Sequence, residues 1–175
     1  MVEIEGYLTQ EKLEKALKQI IQHDDWLGRE VYINRYQRWD MSFKVNNQVF
    51  VVEFDGDSHY RNPQTIRSER EKNAIAESLG QKVIRIPYWV QLTTETLKHF
   101  FQIDHQIKQD FPHGFIDKKA MLPASFCELG MKRFDNEICM LPQRVMKQVL
   151  DSLKGQMAMH HRDFVIYERL SKLGL

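Results

Sequence analysis

No apolar run in the 175 residues approaches the roughly 20 that a bilayer-spanning helix needs. Glu3 and Glu5 stand where a secretory leader would be basic and then apolar, so no leader is expected. Cysteine is scarce: Cys127 and Cys139 are too few for a disulfide framework and too far apart for a CxxC motif. They read as buried free thiols, and a reducing, cytoplasmic setting is expected. A surplus of either charge is also missing, since 25 Lys+Arg against 24 Asp+Glu leave +1. Any nucleic-acid contact therefore has to use a local patch. No internal repeat or low-complexity tract appears.

What is present is a normal globular composition, 42% hydrophobic and 11% aromatic, which excludes global disorder. Thr9 can cap a helix whose apolar positions Leu13, Leu17, Ile20 and Ile21 recur at helical spacing. A first strand is expected over 29–36, and two better ones over 39–45 and 48–54. Asn46-Asn47 between them suits a tight hairpin turn. A loop over 57–63 leads into a helix that stops at Gly80. A strand over 82–86 follows, then a helix from Thr93 or Thr94 to about Lys108. The order is that of a layered α/β domain over 1–110. Residues 111–175 read as a mostly helical extension, with helices over 142–153 and 164–173. This part either completes the core or recognises a substrate.

If Asn46-Asn47 is the turn, Asp40 lies directly across from Glu53. Alternation then puts Asp40, Ser42, Val49, Val51, Glu53 and Asp55 on one face, and Trp39, Met41, Phe43, Phe50, Val52 and Phe54 on the other. Opposed carboxylates repel, and burial raises that cost unless a proton or cation neutralises them. A hard divalent ion held by Asp40, Glu53 and Asp55 would do so. Ion pairs with Arg35, Arg38 or Arg85 are the plainer alternative.

On the following helix, Glu69, Lys72, Ile75, Ala76 and Leu79 share a stripe that Ile75 and Leu79 mark as packed, with Arg70, Asn73 and Glu77 facing away. Lys72 could then hold an attacking water or a phosphate, or simply form a salt bridge. His59 suits proton transfer, though loop histidines are often merely exposed. His160-His161 lack a third ligand at zinc spacing.

The ordered set Asp40, then Glu53-Phe54-Asp55-Gly56-Asp57-Ser58-His59, then Glu69-x-x-Lys72-x-x-x-Ala76-x-x-x-Gly80, then Val83-Ile84-Arg85-Ile86 resembles the PD-(D/E)XK nuclease superfamily. Within it, the branch of the very short patch repair endonucleases and their bacterial relatives is the most similar. The likeness runs from about Leu8 to Trp89. It implies a restriction-endonuclease-like core: helix, three-stranded antiparallel meander, helix, strand, helix. It further implies a Mg²⁺- or Mn²⁺-dependent endonuclease acting on double-stranded DNA, with the metal on Asp40, Glu53 and Asp55.

Asp55 stands where most members carry the motif lysine, which leaves Lys72 or His59 to do that work. Glu14 resembles the acid of the first helix, with Glu11 as an alternative. Arg61, Arg67 and Glu69 are candidate substrate-binding residues, and Lys132, Arg133 and Arg162 candidate phosphate contacts. A homodimer would allow one site per strand. The competing expectation is a nuclease fold without chemistry that grips nucleic acid or a protein.

Overall fold

A computed structural model of the chain describes residues 1–35, 37–156 and 161–174. The hairpin organises the molecule. Asn46 and Asn47 both take positive φ, 49° and 65°, as a two-residue turn matching sheet twist requires. They join β3 (Arg38–Val45) to β4 (Gln48–Asp55), pairing Val45 with Gln48 through to Met41 with Val52, in the register read from the sequence. β2 (Trp26–Tyr32) runs antiparallel to β3, and β5 (Lys82–Pro87) runs parallel to β4. The order β2-β3-β4-β5 makes a mixed sheet, and the protein is a mixed α/β structure.

A parallel neighbour needs a crossover, supplied here by α3 (Pro63–Ser78). Asn62 caps it by accepting from Gln64 N at 2.9 Å, Pro63 opens it, and Gly80 at φ +71° ends it. One turn of helix, α2 (Ser58–Arg61), precedes it in the stretch expected to be loop. The buried face of α3 is Ile66, Glu69, Lys72 and Ala76. Ile75 and Leu79 do not mark it; they are 37% and 66% exposed, whereas Asn73 turns toward the sheet and accepts from Arg85. Ala76 packs on Trp39 and Val51 of the sheet, while Glu69 meets Arg85 of β5 at 3.6 Å.

The first strand lies earlier than expected. Gly28, at φ +146°, accompanies a register shift that bends β2 onto β3. After Tyr32 the chain turns back, with Ile33 N donating to Gln37 O at 2.8 Å. Tyr36, the expected end of the strand, lies outside the described residues. Trp39 departs from simple alternation: it packs with Val51 and Ala76 rather than with Met41 and Phe43. Glu30, at φ +49°, sits between the residues that pair with Trp39 and Met41, and the ladder kinks there.

The opposite face of the sheet carries the main core. α1 (Gln10–Ile20), capped by Thr9, places Leu13 and Leu17 against Met41, Phe43, Phe50, Val52 and Ile86. Complete burial of such a side chain contributes about 1.5–3 kcal/mol. α4 (Thr94–Phe101) seals this layer and ends at Gln102 in the left-handed region, well short of Lys108. The Thr94 hydroxyl accepts from Ile107 N at 2.9 Å, and β6 (Ile107–Gln109) pairs in parallel with β1 (Val2–Ile4) instead of continuing a helix.

Three C-terminal helices, α5 (Glu128–Met140), α6 (Gln143–Gln156) and α7 (His161–Lys172), build a second core on Tyr60, Trp89 and Val90. The sequence reading placed the last two and missed α5. Cys127 caps α5 and Cys139 lies exposed on it, so they are not two buried thiols. Among the described residues no helix is long and apolar enough to cross a membrane.

Candidate functional site

The polar face of the sheet, under α3, collects charged side chains from six elements. β4 brings Glu53 and Asp55, and β5 sets Arg85 directly beside Glu53. β3 begins near them and brings Asp40, while α3 lowers Glu69 and Lys72 from above. α2 contributes His59, and α5 adds Arg133 and Glu137 from the C-terminal helices. Five carboxylates (Asp40, Glu53, Asp55, Glu69, Glu137) thus face three permanent cations (Lys72, Arg85, Arg133). That deficit of positive charge leaves room for a protonated histidine or a bound cation.

The cluster divides in two. In the first part, Lys72 Nζ lies 2.7 Å from Glu53 Oε2, donates to Arg38 O, and sits 4.1 Å from the centroid of the Trp39 ring. Asp40 stands beside it, its Oδ2 accepting from Phe54 N at 2.7 Å. Burial pushes the carboxyls of Asp40 and Glu53 above their usual range, and the nearby Lys72 only partly offsets this. Asp40 Oδ1 and Glu53 Oε1 have no hydrogen-bond or ion-pair partner among the described residues.

In the second part, Asp55 is fully buried and completely paired. Its Oδ1 meets Arg85 at 2.8 Å and His59 Nδ1 at 3.1 Å, and its Oδ2 meets Arg133. Burial would raise this carboxyl, but Arg85, Arg133 and His59 more than reverse the effect and hold it below its usual range. Glu69 accepts from His59 Nδ1 and from Arg133 at 2.9 Å. Burial pulls the His59 imidazole down, yet the bond to Glu69 and the charge of Asp55 leave it raised. Arg133 also reaches Glu137 at 2.7 Å, and Glu137 accepts from the Tyr60 hydroxyl at 2.6 Å.

The other sequence candidates lie elsewhere. Glu14 on α1 is held by Lys18 at 2.6 Å and Arg29 at 3.8 Å, without a bond to the strand acids. Arg61 pairs with Asp57 at 2.9 Å, and Arg67 is exposed on α3. Lys132 is exposed beside Glu128, and Arg162 donates to Ala124 O at 2.9 Å. Arg133 is not an exposed phosphate contact; only 12% of its side chain is accessible. His160 lies outside the described residues. Sequence reasoning gave no role to Glu137, Tyr60 or Asn73, whereas Arg85, named there as a possible ion-pair partner of the strand acids, does pair with Asp55.

Asp55, His59 and Glu69 offer ligand atoms within 4.8 Å of one another, a group that could hold a metal ion. Two guanidiniums already compete for the same oxygens. Asp40 and Glu53 each keep one oxygen without a partner among the described residues, with the Lys72 ammonium at 2.7 Å from the other oxygen of Glu53. A cleft of about 240 Å³ between α3 and α5, bordered by Arg70, Asn73 and Lys132, opens beside the second part. Compared with known proteins, the chain matches no family model, no curated protein and no solved structure.

Proposed function

We propose that the protein is a divalent-metal-dependent phosphodiesterase of the PD-(D/E)XK kind that cuts double-stranded DNA. The observation that carries this reading is the lysine of a crossover helix seated on a strand glutamate, Lys72 on Glu53 at 2.7 Å, beside Asp40 of the paired strand. Two acids and a lysine on the polar face of a mixed sheet are the donor set phosphodiester hydrolysis uses. The sequence order of helix, antiparallel meander, crossover helix and parallel strand supports the same reading.

Hydrolysis joins a water oxygen to phosphorus and breaks one phosphorus–oxygen ester bond. The water loses a proton and the leaving oxygen gains one. Mg²⁺ or Mn²⁺, held by Asp40 and Glu53, would supply Lewis acidity and favour the ionised form of the water. Lys72, fixed by Glu53, Arg38 O and the Trp39 face, presents an ammonium where charge develops on the phosphate. It therefore takes the place of the absent motif lysine more readily than His59, whose Nδ1 is committed to Asp55 and Glu69.

A second reading, a nuclease fold that only binds nucleic acid or a protein, is favoured by one observation: both oxygens of Asp55 are neutralised by arginines. Incubation with plasmid, single-stranded and branched DNA, with and without Mg²⁺ or Mn²⁺, separates the two. Metal-dependent nicking or cleavage supports the enzyme, and binding without cleavage under every condition supports the module.

A further inference from the structure

Among the described residues, Arg133 is the cation that the C-terminal helices bring to the site, and its placement is built rather than incidental. α5 approaches α2 closely at Gly130, where an added Cβ would lie 1.8 Å from the Tyr60 carbonyl oxygen. The same carbonyl accepts from Cys127 N at 3.1 Å, and the Tyr60 hydroxyl donates to Glu137 one turn beyond Arg133. With the two helices fastened at three points, Arg133 lies 4.7 Å from the Tyr60 ring centroid. There it spends its donors on Asp55, Glu69, Glu137 and the carbonyl of His59.

These bonds converge on one atom. Asp55 and Glu69, both fixed by Arg133, are the two carboxylates that face His59 Nδ1. Asp55, held by guanidiniums on both of its oxygens, can only accept, so Nδ1 carries the hydrogen. The ring is then oriented through Nδ1, and Nε2 makes no bond to another described residue. With its side chain 20% exposed, His59 is the least buried member of the second part of the cluster. Carboxylate partners that fix one ring nitrogen and leave the other for chemistry recur wherever imidazoles act in catalysis or ligation.

We propose that Arg133 is a positioning residue: acting through Asp55 and Glu69, it holds His59 with hydrogen on Nδ1 and Nε2 presented to substrate. The C-terminal segment thereby completes the site of the phosphodiesterase proposed above, on which the catalytic part of this inference rests. The arrangement also explains why a helix distant in sequence carries a buried arginine fork, since the planar guanidinium alone can span two carboxylates.

The test uses the full chain labelled with ¹⁵N at histidine, as wild type, Arg133→Lys and Arg133→Gln. In the wild type, His59 should give an Nδ1-bound proton protected from solvent. In both variants that proton should lose protection and the ring should mix tautomers. Metal-dependent DNA cleavage should fall in kcat by about 10- to 100-fold, with KM nearly unchanged and Arg133→Lys partly restoring the rate. An unprotonated Nδ1 in the wild type, or His59 signals unchanged in a folded variant, overturns the proposal. If the wild type cleaves no DNA, the phosphodiesterase reading falls and the imidazole spectra alone decide whether Arg133 positions His59.

Discussion

Asp40 accepts from the backbone N–H of Phe54 at 2.7 Å, so the acid of one hairpin strand is fastened between Glu53 and Asp55 of the other. One oxygen of Asp40 thus does structural work, and the second has no partner among the described residues.

Asp40→Asn keeps an oxygen for Phe54 N and loses the charge. It should leave stability within about 1 kcal/mol and abolish metal-dependent cleavage. Asp40→Ala strands the Phe54 N–H and should cost about 1–3 kcal/mol more. Urea titration alongside a cleavage assay checks both.

Asp55 behaves differently. Its removal leaves Arg85 and Arg133 buried without their partner, so Asp55→Ala should cost about 3–5 kcal/mol. The lowered carboxyl fixes the sign with pH. Its stabilisation is present above the ordinary carboxylate range and is lost as pH falls through the depressed value. Denaturant midpoints of both proteins at neutral and acidic pH should therefore converge on acidification.

Lys72→Met preserves the stem that packs on Trp39 and deletes the ammonium on Glu53. Cleavage should drop by about 10²-fold or more, as when a preorganised charge is removed from a transition state. Because burial already favours the protonated form of Glu53, the melting temperature should move little. Single-turnover rates and calorimetric melting measure the two effects.

The sequence made the hairpin legible down to its residue pairs, because paired asparagines fix both turn type and register. It put Glu69 and Lys72 inward on the strength of Ile75 and Leu79, which are exposed; Glu69 and Lys72 do lie inward, on a buried stripe shared with Ile66 and Ala76. The β1–β6 pair was invisible: two three-residue strands more than a hundred positions apart carry no period. α5 was missed although Met131, Phe134 and Ile138 recur at helical spacing, because Gly130 interrupts its first turn and its cap is a cysteine rather than Ser, Thr, Asp or Asn. With it went the partition of the acids, since the Arg133–Asp55 contact spans 78 positions and no local pattern encodes it.

His113 offers a pH test remote from the acids. It is 3% exposed, burial holds its imidazole down to about 4, and its Nδ1 accepts from Gln91 N at 3.0 Å. The unfolded chain takes the proton near the ordinary 6.5, so stability should be lost as pH falls from about 6.5 to about 4. The shift amounts to roughly 3 kcal/mol. His113→Asn should flatten that slope in denaturation curves taken across the window.

Titration of the wild type, Asp40→Asn and His59→Ala with Mn²⁺, followed by calorimetry, addresses the metal assignment most directly. One divalent ion should bind to the wild type and to His59→Ala, and none to Asp40→Asn. Binding that survives Asp40→Asn and disappears in His59→Ala would move the metal to Asp55, His59 and Glu69 and contradict the assignment to Asp40 and Glu53.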